Sequence, residues 1–135
     1  MDILRSIDIE DTVRKALLPY MECYCPPLPS GYVLPSVLVR QVGGSEAKKI
    51  DTFTVTLDAR ASTEAEASET LRSAVGILMK TATDQTTAIR FVVVNSSGSW
   101  GSDPVRPDLA MYSATLQITA HQETYTLTRR VNNGK

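Results

Sequence analysis

DTFTVTLDARA, residues 51–61, decides the fold. Phe53, Val55, Leu57 and Ala59 alternate with Thr54, Thr56, Asp58 and Arg60. Successive side chains of an extended chain point to opposite faces, so a period of two predicts a strand with one apolar and one polar face. The period changes immediately afterwards. In residues 63–82, Ala67, Leu71, Ala74, Val75, Leu78 and Ala82 recur at helical spacing and form one stripe. Thr63 and Glu66 have the spacing of a capping box, in which each side chain satisfies a free backbone N–H. Glu64, Glu66 and Glu69 lie early and Lys80 late, as the helix dipole prefers. Gly76 costs the helix about 1 kcal/mol relative to Ala and marks either close packing or a weak point.

Upstream, SVLVRQV (residues 36–42) is short and β-branched and predicts a second strand ended by Gly43-Gly44. The two strands make a hairpin whose polar tip carries Lys48 and Lys49. Residues 8–20 predict the first helix. Asp8 is its cap, Glu10 and Asp11 sit in its first turn, Ile9, Val13, Ala16, Leu17 and Tyr20 form its apolar face, and Pro19 marks its end. Three prolines and a glycine in residues 25–31 predict a stiff connector. Downstream, IRFVVV (residues 89–94) is nearly continuous in β formers, the pattern of a central strand covered on both faces. Asn95–Asp108 is rich in Gly, Ser and Pro and predicts a long loop. Residues 110–121 alternate again, with Tyr112, Ala114, Leu116, Ile118 and Ala120 facing in. Thr124–Arg129 either prolongs that strand or forms a short edge strand, and residues 130–135 fray. The expectation is one α+β domain over residues 1–135. It has a single sheet of about four strands, in the order α-β-β-α-β-β, with helices packed on one face.

Fourteen basic and fifteen acidic residues give a net charge of −1. Proteins that grip nucleic acid by its phosphates carry a basic surplus, which is missing here. The first thirteen residues have no signal-peptide core, and no apolar run spans a bilayer, so a soluble protein made in the cytosol is expected. Cys23 and Cys25 are too close for an unstrained disulfide and too few for a zinc site; free thiols are expected. No cofactor or metal motif occurs. His121 has no evident catalytic partner, and no nucleophile elbow or phosphate-binding loop is present. Asp51 and Asp58 are not marked as a pair, and Asp103 and Asp108 suit a proline-bounded turn. No catalytic residue is therefore assigned. The interface candidates are Lys48, Lys49, Trp100, Arg106 and Asp108: the lysines for their hairpin tip, Trp100 as an anchor in the long loop, and the others as charges for a neighbour. A local ion pair or plain solvation is the default for Arg106 and for Arg90. The threonine-rich sheet face is either solvated or meets another subunit.

Asp103–Leu116 (DPVRPDLAMYSATL) carries a resemblance. An Arg-Pro-Asp turn at 106–108, followed by a Tyr-Ser-Ala-Thr strand at 112–115, resembles the last strand of the tail terminator (tail completion) proteins of long-tailed bacteriophages. The length and element order are also similar; the connector at 25–31 is a departure. The resemblance implies a non-enzymatic virion protein, assembled in the host cytoplasm. It implies self-association into a ring, usually a hexamer, on the last ring of a tail tube protein. Such a ring stops tube growth and docks a neck or head-completion protein. DNA passes through its channel without specific binding, and no membrane is involved. In that picture the tip at Gly43–Ile50 and the loop at Asn95–Asp108 contact neighbouring rings. The alternatives are another head-tail joining or tail-tube subunit, or a small ligand-binding α+β domain with a pocket around His121.

Overall fold

The alternating stretch at 51–61 becomes the middle strand of a sheet. The computed structural model describes residues 1–46, 49–104 and 106–131, with the backbone alone for 97–99 and 102. The elements are β1 (Asp2–Arg5), α1 (Ile9–Leu17), β2 (Glu22–Tyr24), β3 (Ser36–Glu46), β4 (Ile50–Ala61), α2 (Glu64–Asp84), β5 (Ile89–Ser102), β6 (Ala110–His121) and β7 (Glu123–Thr126). Five strands form a mixed sheet in the order β2-β3-β4-β6-β5, and β1 and β7 form a separate two-stranded sheet. In the large sheet β4 is antiparallel to both neighbours. It pairs with β3 from Ser36↔Arg60 to Glu46↔Asp51, and with β6 from Ile50↔His121 to Ala61↔Ala110.

This corrects the expected single sheet of about four strands in the order α-β-β-α-β-β. Two short strands, β1 and β2, are added, and the segment left open at Thr124–Arg129 forms a short strand, β7, over Glu123–Thr126. β2 is only three residues long and lies parallel to β3. β1 and β7 pair antiparallel from Asp2↔Thr126 to Arg5↔Glu123. The partner of β1 is remote in sequence, so no local signal announces that strand. The long loop at 95–108 is also corrected. β5 continues through Ser102, opposite β6, with register shifts between Val94 and Ser96 and between Ser96 and Ser99. An edge strand tolerates Gly and Ser because only one side of it is paired, and bulges absorb the extra residues. IRFVVV is an edge strand, not a central one: β5 ends the strand order, and Phe91 and Val93 stay exposed on the face opposite the helices. The hairpin strand likewise runs past Gly43-Gly44 to Glu46. Gly44 has φ +146°, and a Cβ there would lie 2.5 Å from the Thr52 carbonyl oxygen, so this close approach requires glycine.

Both helices cover one face of the large sheet. Asp8 caps α1 by accepting from Asp11 N at 3.1 Å, and Thr63 caps α2 by accepting from Glu66 N at 3.2 Å. α1 buries Ile9, Val13 and Leu17, while α2 buries Ala67, Leu71, Ala74, Leu78 and Ala82. They close over Val37, Val39, Phe53, Val55, Leu57, Leu116 and Ile118 in one core. Three of the five buried α2 residues are alanines, which let that helix approach the sheet closely.

Leu57 is wholly buried and Phe91 is 68% exposed. Leu57→Ala is therefore expected to cost roughly 2–5 kcal/mol through lost burial and a residual cavity. Phe91→Ala should stay within about 0.5 kcal/mol of the parent. Urea denaturation of the two variants checks the contrast.

Candidate assembly surface

The interface candidates do not form one patch. Lys48 lies outside the described residues. Lys49 is in the turn before β4, with φ 72°, and its carbonyl accepts from Gln122 N at 3.0 Å. Trp100, Arg106 and Asp108 lie toward the far end of the sheet, where Trp100 pairs with Tyr112 and Ala61 with Ala110. A strand as long as β4 separates the two groups by about 35–40 Å at a rise of ~3.4 Å per residue.

Trp100 is a strand residue, not a loop residue. It shares a face with Tyr112, which packs against the core, yet on the edge strand it stays 53% exposed. Arg106 and Asp108 serve each other. Arg106 Nε donates to Asp108 Oδ1 at 3.3 Å and Nη2 to Oδ2 at 3.0 Å. This hydrogen bond and the opposite charge hold the Arg106 guanidinium above its ordinary value and the Asp108 carboxyl below its own. Arg90 likewise turns back, donating to the carbonyls of Thr87 and Ile89.

The face of the sheet opposite the helices is covered at one end only. There Asp58, Arg60 and Asp103 are buried, although the alternation of 51–61 reads two of them as solvent-facing. Arg60 Nε donates to Asp103 Oδ2 at 2.7 Å, and the Tyr32 hydroxyl donates to the same oxygen at 3.5 Å. Asp58 accepts from Arg40 Nε at 3.1 Å and from the Ser113 hydroxyl at 2.7 Å. The proline-rich connector thus reaches the turn after β5 through Tyr32. Complementary charges at Arg60 and Asp103 were visible in the sequence, but their pairing depends on tertiary structure. At the other end, Ser6 Oγ lies 2.7 Å from Glu46 Oε1 and 2.6 Å from Asp51 Oδ2. Its single proton can satisfy one carboxylate at a time. Gln122 Nε2 also donates to Asp51 Oδ1, at 3.0 Å.

The uncovered part of that face carries Thr52, Thr54, Thr56, Thr115 and Gln117. It is flanked on β5 by Phe91 and Val93, which are 68% and 55% exposed. Among the described residues no strand pairs with the outer edge of β5, and β2 covers only Ser36–Leu38 of β3. The outer edge of β5 is therefore open, and the β3 edge beyond β2 has no strand partner, although Gln41 N donates to Glu10 Oε2 at 2.9 Å.

His121 is exposed opposite Ile50 and lines an open cleft of about 570 Å³ that also contains Arg90, Met79 and Phe91. Among the described residues no three His, Cys, Asp or Glu side chains gather as metal ligands. Cys23 and Cys25 are free thiols; burial pushes Cys23 up to about 12 and also raises Cys25. No helix of the described residues is long and apolar enough to cross a membrane. No family model and no curated protein sequence matches this chain.

Two measurements probe these environments. Asp103→Ala strands the Arg60 charge, so a loss of roughly 3–5 kcal/mol is expected in chemical denaturation. Arg106→Ala should leave the midpoint where it is, because its partner is solvated. Cys23 gives a pH signature. Its folded value is raised from an ordinary 9.0 to about 12, so its contribution to stability is complete below pH 9 and is lost as pH rises toward 12. Cys23→Ala removes that contribution, so the stability difference between parent and variant should shrink across this interval.

Proposed function

We propose that this chain is a structural subunit of a phage virion. Copies close into a ring that caps a tail tube, ends its growth and joins it to the neck or capsid. The observation that carries the reading is a sheet with two open edges of different sequence on opposite sides. Exposed edges are sites of strand addition, and natural monomers blunt them with lysines, prolines and short strands. Residues 89–102 contain neither Lys nor Pro and run for 14 residues. Their one charge, Arg90, is folded back on local carbonyls. A contact between two unlike edges is heterologous, and heterologous contacts generate rings when the rotation closes. Phe91, Val93 and Trp100 add exposed apolar area along the same strand, and aromatic residues such as Phe91 and Trp100 are enriched at interfaces. The near-neutral charge suits a channel that lets DNA slide without gripping its phosphates.

One observation favours a second reading. The cleft beside His121 combines an imidazole and a guanidinium with apolar walls, as a small-molecule site would. A ligand retained through purification, seen by native mass spectrometry and lost in His121→Ala, would select that reading.

Electron microscopy and sedimentation of the purified protein test the main proposal. Closed rings are expected, with tail tubes of fixed length when the protein is added to growing tubes. Phe91→Lys with Val93→Lys should weaken ring formation at least about tenfold, because unpaired charge is placed in a desolvated contact. Long open tubes of the protein alone would instead indicate a tube subunit. A persistent monomer beside competent tail tubes would overturn the assignment.

A further inference from the structure

Beyond β7 the chain runs on as Leu127-Thr128-Arg129-Arg130-Val131, exposed throughout. It leaves a ribbon that is itself weakly supported. β1 and β7 make a two-stranded sheet, a structure marginal in water unless something covers it. Leu4 is 50% exposed, Tyr125 and Leu127 are each 40% exposed, and Val131 is 82% exposed. Within the ribbon, Arg5 pairs with Glu123 at 2.6 Å and lies 3.4 Å over the Tyr125 ring. It projects from the end of the large sheet where Ile50 meets His121.

At the opposite end lies a groove of about 800 Å³ between the end of α1, β2 and the first half of α2. Met21, Leu34 and Ile77 give it an apolar floor. Glu22 stands on the β2 wall, and Glu66 and Glu69 stand on the α2 wall. Among the described residues no ion pair engages these three glutamates, or Arg129 or Arg130.

We infer that the 127–131 segment of one copy docks in the Glu22/Glu66/Glu69 groove of the next. This rests on the reading of the chain as a self-assembling subunit. Charge complementarity identifies the occupant. The segment is apolar and basic, the groove is apolar and acidic, and the whole chain is nearly neutral at −1. In an extended segment side chains alternate, so Leu127, Arg129 and Val131 share one side and Thr128 and Arg130 the other. The first side presents one charge between two apolar side chains to the groove, and Arg130 lies toward its rim. The donor and acceptor patches lie at opposite ends of one copy, so the contact runs head to tail from copy to copy and is heterologous.

Charge reversal tests this by native mass spectrometry and sedimentation, with circular dichroism checking that each variant is folded. Arg129→Glu with Arg130→Glu should weaken assembly at least about tenfold, as should Glu66→Lys with Glu69→Lys. Each variant alone repels itself; mixing the two should restore assembly, in rings that alternate the two kinds. One chain carrying all four substitutions should also assemble. High salt should weaken the parent assembly. Parent and both variants assembling equally would overturn the docking while leaving the ring reading intact. Impaired variants that neither the mixture nor the fourfold chain rescues would overturn the docking as well. A parent that stays monomeric at every concentration and salt would overturn the ring reading itself.

Discussion

The fold depends on one constraint: β4 must be paired along its whole length on both sides. Its twelve residues match β6 one for one, from Ile50↔His121 to Ala61↔Ala110, without a slip. A slip of one residue would turn Phe53, Val55, Leu57 and Ala59 away from the helices and bring the threonines in. Burial on the helix side therefore fixes the register, and the register fixes where every other strand can lie. The bulge at Val42 and the close approach at Gly44 are confined to the β3 side, where they leave the β4–β6 ladder undisturbed.

A sheet centred in this way leaves its margins incomplete. β2 is too short to cover β3, and β5 has no outer neighbour among the described residues. The two ends of the outer face also differ. One is sealed by the connector and the turn after β5, through Tyr32, Asp103 and Arg60. The other keeps its threonines, Phe91 and Val93 in reach of solvent. The molecule is thus fully paired at its centre and only partly paired along its rim.

The central elements were legible because their signals are local. Alternation set β4 and β6, helical spacing set α2, and Asp8 and Thr63 announced both caps. What was illegible depends on distance along the chain. β1 is a strand only because β7 reaches it and β2 because β3 lies beside it, while the weak alternation at Thr124–Arg129 marks a short strand without naming its partner. The Ser- and Gly-rich stretch after Val94 reads as loop by composition, but the free edge of β6 recruits it into β5. The same distance dependence hid the buried Arg60–Asp103 pair. Of the proposed interface residues, Trp100 belongs to a strand, Arg106 and Asp108 satisfy each other, and Lys49 lies at the other end. The groove of Glu22, Glu66 and Glu69 was missed because the helix signal absorbed two of the three. Glu66 and Glu69 were read as dipole partners, and nothing local placed Glu22 beside them.

The β1–β7 ribbon also imposes an order of events. Asp2 cannot find Thr126 until the residues between them have been made, and contacts of such long sequence separation are slow to close. The helices and the β3–β4 hairpin need only near neighbours and can form while synthesis continues. The projecting ribbon thus takes shape after the elements whose partners lie near them in sequence, on a core that is already in place.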